Sequence, residues 1–426
     1  MKQFSTARLA AAEIAAEIAR MAPAWTPEQE TAVAEIVAAV RDRGDDAVIE
    51  HVRRLDWPQA SPAALRVPAG EIEAAARDVG DEALTAFREA VAEVRRFHEA
   101  FVPEDRLDAR PDGTVLGERY VSIDVAGVLA PAGRAPYPSS LMMTAVPAQA
   151  AGVPRMVVAS APLRDGRVRP EVLAMAQVLG LNEIYRVGGA VAVAAFAFGT
   201  ETIPRVDKIA GPGNEYVMLA KRAVYGVVGV DGLYGPSEVV VIADEEAPPG
   251  LVAADLIAQA EHGAGSLAVV ISPSERLLLA VTEELNRRAE GHARTILETR
   301  GAAVLTRDLD EACEVANALA PEHLELMVRE PMPLVAKIRH AGCILLGDDS
   351  PAPVGDYMAG PSHVLPTGRT ARFSSGLGVR DFMTRSSVIR VSREWLQRHG
   401  KTVQQFANLE GFQGHAESVG ERISRR

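Results

Sequence analysis

Between residues 119 and 347 the chain alternates short, almost unbroken apolar runs with longer amphipathic ones, and this alternation constrains its fold more than any other feature. Residues 122–128, 156–160, 183–187, 239–242, 267–271, 303–305 and 343–346 read as strands. A strand with no polar face is buried on both sides, as in parallel sheets covered by helices. Between them, residues 170–179, 191–198, 216–225, 275–288 and 309–319 carry apolar side chains at helical spacing. The series falls into two blocks, roughly 125–235 and 237–347, which predicts an α/β protein of two Rossmann-like modules with mostly parallel sheets.

The flanks read differently. Ile36, Val37, Val40, Val48, Ile49 and Val52 recur at helix spacing, and helical periodicity returns after Arg380 up to a charged tail. At 426 residues the chain is too long for one small core. The expected division is an N-terminal helical segment (1–25), marked by Leu9, Ile14 and Ile18, and a first α/β domain (26–126 with 237–380). A second α/β domain (127–236) and a C-terminal helical segment (381–426) complete it.

A net charge of -12 argues against a nucleic-acid or anionic-membrane surface, leaving small molecules and protein partners. Cys313 and Cys343 make no disulfide framework and have no CxxC neighbour, so they read as reduced, buried and cytoplasmic. No apolar run reaches the ~18–20 residues of a membrane helix. Glu13 and Glu17 interrupt the Ala-rich start where a signal peptide needs an unbroken apolar stretch.

The candidate chemistry is scattered. Gln259 and His262 close one amphipathic run, either as metal ligands or as an ordinary helix end. Glu322-His323 follows Pro321 at a strand mouth. It is either a solvated turn or a pair with different resting protonation, as general acid–base work requires. Asp356 and His363 stand seven apart in a long loop rich in Gly and Pro, the kind usually kept for function. Glu410 and His415 lie five apart near the end of the chain, in a site or in a fraying tail. A GxGxxG fingerprint is absent. Gly188-Gly189 and Gly211-Pro212-Gly213-Asn214 are either tight turns or backbone cradles for a phosphate.

Taken in order, these fragments resemble the histidinol dehydrogenase family along nearly the whole chain. The likeness rests on Tyr137-Pro138-Ser139-Ser140, Val206-Asp207-Lys208-Ile209, Gly211-Pro212-Gly213-Asn214 and Gly235-Pro236-Ser237-Glu238. It continues through Ala258-Gln259-Ala260-Glu261-His262, Ala320-Pro321-Glu322-His323-Leu324-Glu325-Leu326, residues 356–367, Ala371-Arg372-Phe373-Ser374-Ser375 and residues 410–415.

The resemblance implies zinc held by Gln259, His262, Asp356 and His415, the last from a partner subunit, and hence a homodimer with shared active sites. It implies substrate contacts at Ser237, Gln259, His262, His323, Asp356, His363, Glu410 and His415, NAD contact at Asn214, and catalysis by Glu322 and His323. The implied reaction takes L-histidinol through histidinaldehyde to L-histidine, with two NAD, at the end of histidine biosynthesis.

The chain departs from the family pattern on the cofactor side. Leu129 stands at the usual Tyr, within Gly127-Val128-Leu129-Ala130-Pro131-Ala132-Gly133, and Val191 stands at the usual Gln. Gly263 replaces a frequent Asp and Ser362 a frequent Asn. The alternatives are a zinc- and NAD-dependent paralogue oxidising another small alcohol, such as a hydroxylated sulfonate, or a zinc-binding member without NAD affinity.

Overall fold

A computed structural model describes the chain apart from residues 22–24, 132–135, 264 and 426, and it divides into two compact units. The first comprises Met1–Ala100 with Asp124–Phe382 and contains both α/β modules.

The apolar runs pair where their lack of a polar face requires, inside parallel sheets. A five-stranded sheet has the spatial order Ile184–Arg186, Arg155–Ser160, Val125–Leu129, Lys208–Ala210, Gly229–Val230, every neighbour parallel. A six-stranded sheet has the order Lys2–Ser5, Gly301–Leu305, Leu267–Ser272, Glu238–Ala243, His323–Met327, Cys343–Leu346, also wholly parallel. Each sheet reverses its strand order in the middle, between Val125–Leu129 and Lys208–Ala210 in one and between Glu238–Ala243 and His323–Met327 in the other. The expected strand run 122–128 is two strands: Val115–Ser122 belongs elsewhere, and Val125–Leu129 enters the five-stranded sheet.

Apolar clusters line both faces of the six-stranded sheet. Ile14 and Ile18 of the helix Ala11–Ala19 are fully buried in one of them, as their spacing predicts, whereas Leu9 is exposed. The strand Lys2–Ser5, too short for a periodic signal, pairs with Gly301–Leu305. The helices Pro27–Arg43 and Ala69–Glu99 pack on the helices of the five-stranded module rather than on the six-stranded one. Cys313 is buried as expected; Cys343 is half-buried.

The second unit comprises Phe101–Ile123 and Met383–Arg426. Here the helical reading of the C-terminal segment needs correction, because Met383–Arg390 is a strand pairing antiparallel with Val115–Ser122. That strand is exposed along most of its length, so it carries no apolar alternation. Beyond it, Arg393–Leu409 and Gln413–Ser424 form a helical pair. Among the described residues no helix is long and apolar enough to cross a membrane.

Candidate active site

The helix Leu309–Leu319 ends on Ala320, a fully buried non-glycine residue in the left-handed region at φ +48°. Proline disfavours helical backbone before it and would make Ala320 extended. Instead the left-handed cap turns the chain directly into Pro321-Glu322 and the strand His323–Met327, a strained conformation of the kind found at functional sites. Gly342 N–H donates to the Pro321 carbonyl at 2.9 Å and Cys343 N–H to the Glu322 carbonyl at 2.8 Å. This fastening leaves Glu322 7% and His323 4% exposed, so the pair is not a solvated turn.

Glu322 Oε2 accepts from Ser237 Oγ at 2.6 Å and from Glu238 N–H at 2.8 Å, which fixes its carboxylate. His323 lies between two carboxylates: Nδ1 is 3.6 Å from Glu322 Oε2 and Nε2 is 3.4 Å from Asp356 Oδ1. The first separation is too long for a hydrogen bond, so Nδ1 makes none and its attraction to Glu322 is that of charges. Burial opposes the imidazolium, but Asp356 and Glu322 outweigh it and raise the His323 pKa well above its ordinary value. Burial likewise opposes the Asp356 carboxylate, yet His323, His363 and His262 hold its pKa below the usual value. Asp356 thus lies within the field of three imidazoles.

Two further carboxyl groups, passed over in the sequence, sit behind this pair. Glu238 is pushed up to about 8 by burial and by the charge of Glu322, and its Oε1 accepts from Gly368 N–H at 3.2 Å. Glu325, 1% exposed, is pushed up to about 8 by burial and by Asp255. Its Oε1 accepts from Ala352 N–H at 2.9 Å, at the start of the short helix Ala352–Tyr357 that carries Asp356.

His363 is half-buried, and burial depresses its pKa. Its Nδ1 lies 2.9 Å from the Asp356 carbonyl, which can only accept, so Nδ1 carries the proton. Nε2 is then free to accept from Ser140 Oγ at 3.4 Å. Ser362 Oγ donates to the Met143 carbonyl at 2.9 Å. Ser140 and Met143 belong to the helix Pro138–Ala150, which follows the first strand of the five-stranded sheet, so the loop 356–367 ties the two modules together.

Gln259 is in the last turn of the helix Pro249–Ala260, with Glu261 as cap and His262 just beyond. Gln259 is buried and His262 exposed. The Gln259 amide nitrogen is buried without a hydrogen-bond partner. Amide oxygen and nitrogen exchange places on a flip, so this position suits an oxygen facing a cation. Among the described residues no three His, Cys, Asp or Glu side chains converge on a metal position by themselves. An unsatisfied amide one helical turn before His262, whose imidazole acts on Asp356, nonetheless fits an N/O-ligated zinc needing a further ligand.

On the five-stranded module, Gly188 and Asn214 are the N-caps of the helices Gly189–Phe198 and Glu215–Val224. Asn214 is exposed, and its Oδ1 accepts from Val217 N–H at 3.1 Å. Leu129 and Val191 are both core residues, 5% and 0% exposed. Ala132 and Gly133 lie outside the described residues. Glu410 and His415 stand in the second unit, both exposed; Glu410 caps the helix Arg393–Leu409, and His415 stacks on Phe412 with ring centroids 5.0 Å apart. They belong to an ordered helical pair rather than a fraying tail.

Comparison with known proteins gives the family. The histidinol dehydrogenase family model matches residues 21–423. The histidinol dehydrogenase of Geobacillus kaustophilus (strain HTA426) is 47% identical over 405 residues, covering 94% of this chain and 95% of the relative. That of Thermosynechococcus vestitus (strain NIES-2133 / IAM M-273 / BP-1) is 46% identical over 401 residues, covering 93% of each. The crystal structure of histidinol dehydrogenase from Elizabethkingia anophelis superposes with a TM-score of 0.93 at 30% identity, over 99% of this chain and 98% of that one. With family, relatives and fold in agreement over nearly its whole length, the chain belongs to the histidinol dehydrogenase family and is an oxidoreductase of histidine biosynthesis.

Proposed function

We propose that the chain oxidises L-histidinol through the aldehyde to L-histidine with two NAD, and that Glu322 and His323 perform its proton chemistry. The observation that supports this most is the buried His323 imidazole between the carboxylates of Glu322 and Asp356. With zinc on Asp356, that carboxylate would no longer favour the His323 imidazolium, and the neutral His323 takes the hydroxyl proton in the first oxidation and the proton of the hydrated aldehyde in the second. Glu322, oriented by Ser237 Oγ and Glu238 N–H, deprotonates the water that hydrates the aldehyde. His363, with its ring held at Nδ1 by the Asp356 carbonyl and at Nε2 by Ser140 Oγ, stands against the substrate in a fixed orientation.

Gln259, His262 and Asp356, with the partner subunit's His415, would hold zinc, and Glu410 would contact substrate in that subunit's site. Zinc, when bound, supplies an anchor that orients the substrate's imidazole and amine. This requires a homodimer with shared sites. NAD is the hydride acceptor, held against Asn214 and the loops at Gly188 and Gly211. With Leu129 and Val191 in the core, backbone N–H groups replace the side-chain contacts usual at those positions. Residues 127–236 and 237–380 are proposed as the cores of the two α/β domains, with the helices Pro27–Arg43 and Ala69–Glu99 joining the first of these rather than the second.

The test is NADH formation with L-histidinol against other primary alcohols, hydroxylated sulfonates included. Turnover of L-histidinol above all others is expected; none with L-histidinol and turnover of another alcohol would overturn the substrate assignment.

A further inference from the structure

The helix Glu215–Val224 buries a lysine completely. Lys221 Nζ donates to Asp231 Oδ1 at 2.6 Å and to the Gly211 carbonyl at 2.6 Å, and both side chains of the ion pair are fully buried. Asp231 Oδ2 accepts from Gly211 N–H at 2.7 Å, and its Oδ1 also accepts from Gly232 N–H at 2.8 Å. The Tyr234 ring covers the ammonium, with Nζ 5.2 Å from its centroid. One ion pair therefore holds both the N–H and the C=O of a single glycine, through hydrogen bonds strengthened by charge.

That glycine has no freedom to be anything else. Gly211 has φ +116°, and a Cβ on it would come within 2.6 Å of the Leu129 carbonyl oxygen. It opens the turn Gly211-Pro212-Gly213-Asn214 at the carboxyl end of Lys208–Ala210, beside the reversal of strand order in the five-stranded sheet. A buried ion pair is weak evidence for stability, since an apolar pair of similar volume often serves as well. Its distinctive effect here is geometric: it sets where Gly213 and Asn214 stand.

We propose that Lys221 and Asp231 are positioning residues for cofactor binding, clamping Gly211 so that the Gly211–Asn214 turn is held ready for NAD. This rests on the reading of that turn as part of the NAD site. The clamp touches neither substrate nor the acid–base pair.

The test compares three full-length variants at saturating L-histidinol. In K221M/D231L no unpaired charge remains, so the fold is kept while Gly211 loses both partners. K221Q/D231N, which likewise leaves no unpaired charge, is read in the same way should the first double variant not accumulate. N214A tests the underlying site. For the clamp variants the expected result is a KM for NAD raised on the order of tenfold, with kcat at saturating NAD, the KM for histidinol and zinc content all within about threefold. A merely structural role would lower thermal stability without this selective rise in the KM for NAD. Unchanged NAD KM in the clamp variants with a raised one in N214A overturns the clamp alone. Unchanged NAD KM in all three overturns the cofactor reading and the clamp with it.

Discussion

The two parallel sheets of the first unit are built alike and used at opposite edges. In the five-stranded sheet the candidate ligand-binding turns, at Gly188 and Gly211, follow the carboxyl ends of strands and open helices, the second of them beside the reversal of strand order. In the six-stranded sheet Ser237 and Glu322 immediately precede strands, and His323 begins one, all at the amino edge. Returning helices bring Gln259 and Asp356 back to that same edge in their last turns. The physical difference follows from the helix ends. A carboxyl edge presents helix N-termini, which favour anions such as a pyrophosphate; an amino edge presents helix C-termini, which favour cations. The same construction thus offers one edge suited to a dinucleotide and another suited to a metal and an imidazolium.

The largest effect should come at the amino edge. Replacing Glu322 by Gln keeps the shape of the side chain but removes the base, so aldehyde oxidation should fall by at least ~10²-fold, with NADH per histidinol dropping from two towards one. Product analysis checks it; full conversion to the acid would remove Glu322 from its role. A smaller effect is expected where the edges meet. Replacing Ser140 by Ala deletes the hydrogen bond to His363 Nε2 and should raise the KM for histidinol by roughly five- to tenfold, about 1 kcal/mol, leaving the KM for NAD alone. A rise in the KM for NAD instead would place Ser140 on the cofactor side.

The smallest concerns stability. Glu325 has a folded pKa raised from 4.5 to about 8, so its contribution is fully present below pH 4.5 and is lost as pH rises through about 8. Replacing Glu325 by Gln should flatten the fall in Tm across that window, and a wild-type slope would show that the Glu325 proton is not retained on folding.

Much of this arrangement was legible in the sequence because its signals are local. Apolar runs without a polar face marked the buried parallel strands, and Ile14 and Ile18 marked the face of the first helix that packs. The strand Met383–Arg390 was not legible: with water along most of its length, Met-Thr-Arg-Ser-Ser-Val-Ile-Arg has no alternation to read. Lys2–Ser5 is too short for periodicity, and it is a strand only because Gly301–Leu305 lies beside it. The burial of Glu322 could not be seen either, since a Pro-Glu-His sequence looks like a surface turn until Gly342 and Cys343 fasten its backbone. The Lys221–Asp231 clamp depends on tertiary geometry and has no sequence signature; Glu238 and Glu325 gained their interest from burial beside other carboxylates, which only the fold brings about.

The amino-edge residues divide into metal-holding and proton-moving groups, and bound zinc and turnover in His262→Asn and His323→Asn, prepared side by side, separate the two. His323→Asn is expected to keep normal zinc while its rate drops by at least ~10²-fold, and His262→Asn to lose the metal. Equal loss of zinc in both variants, or full activity in His323→Asn, would contradict the division.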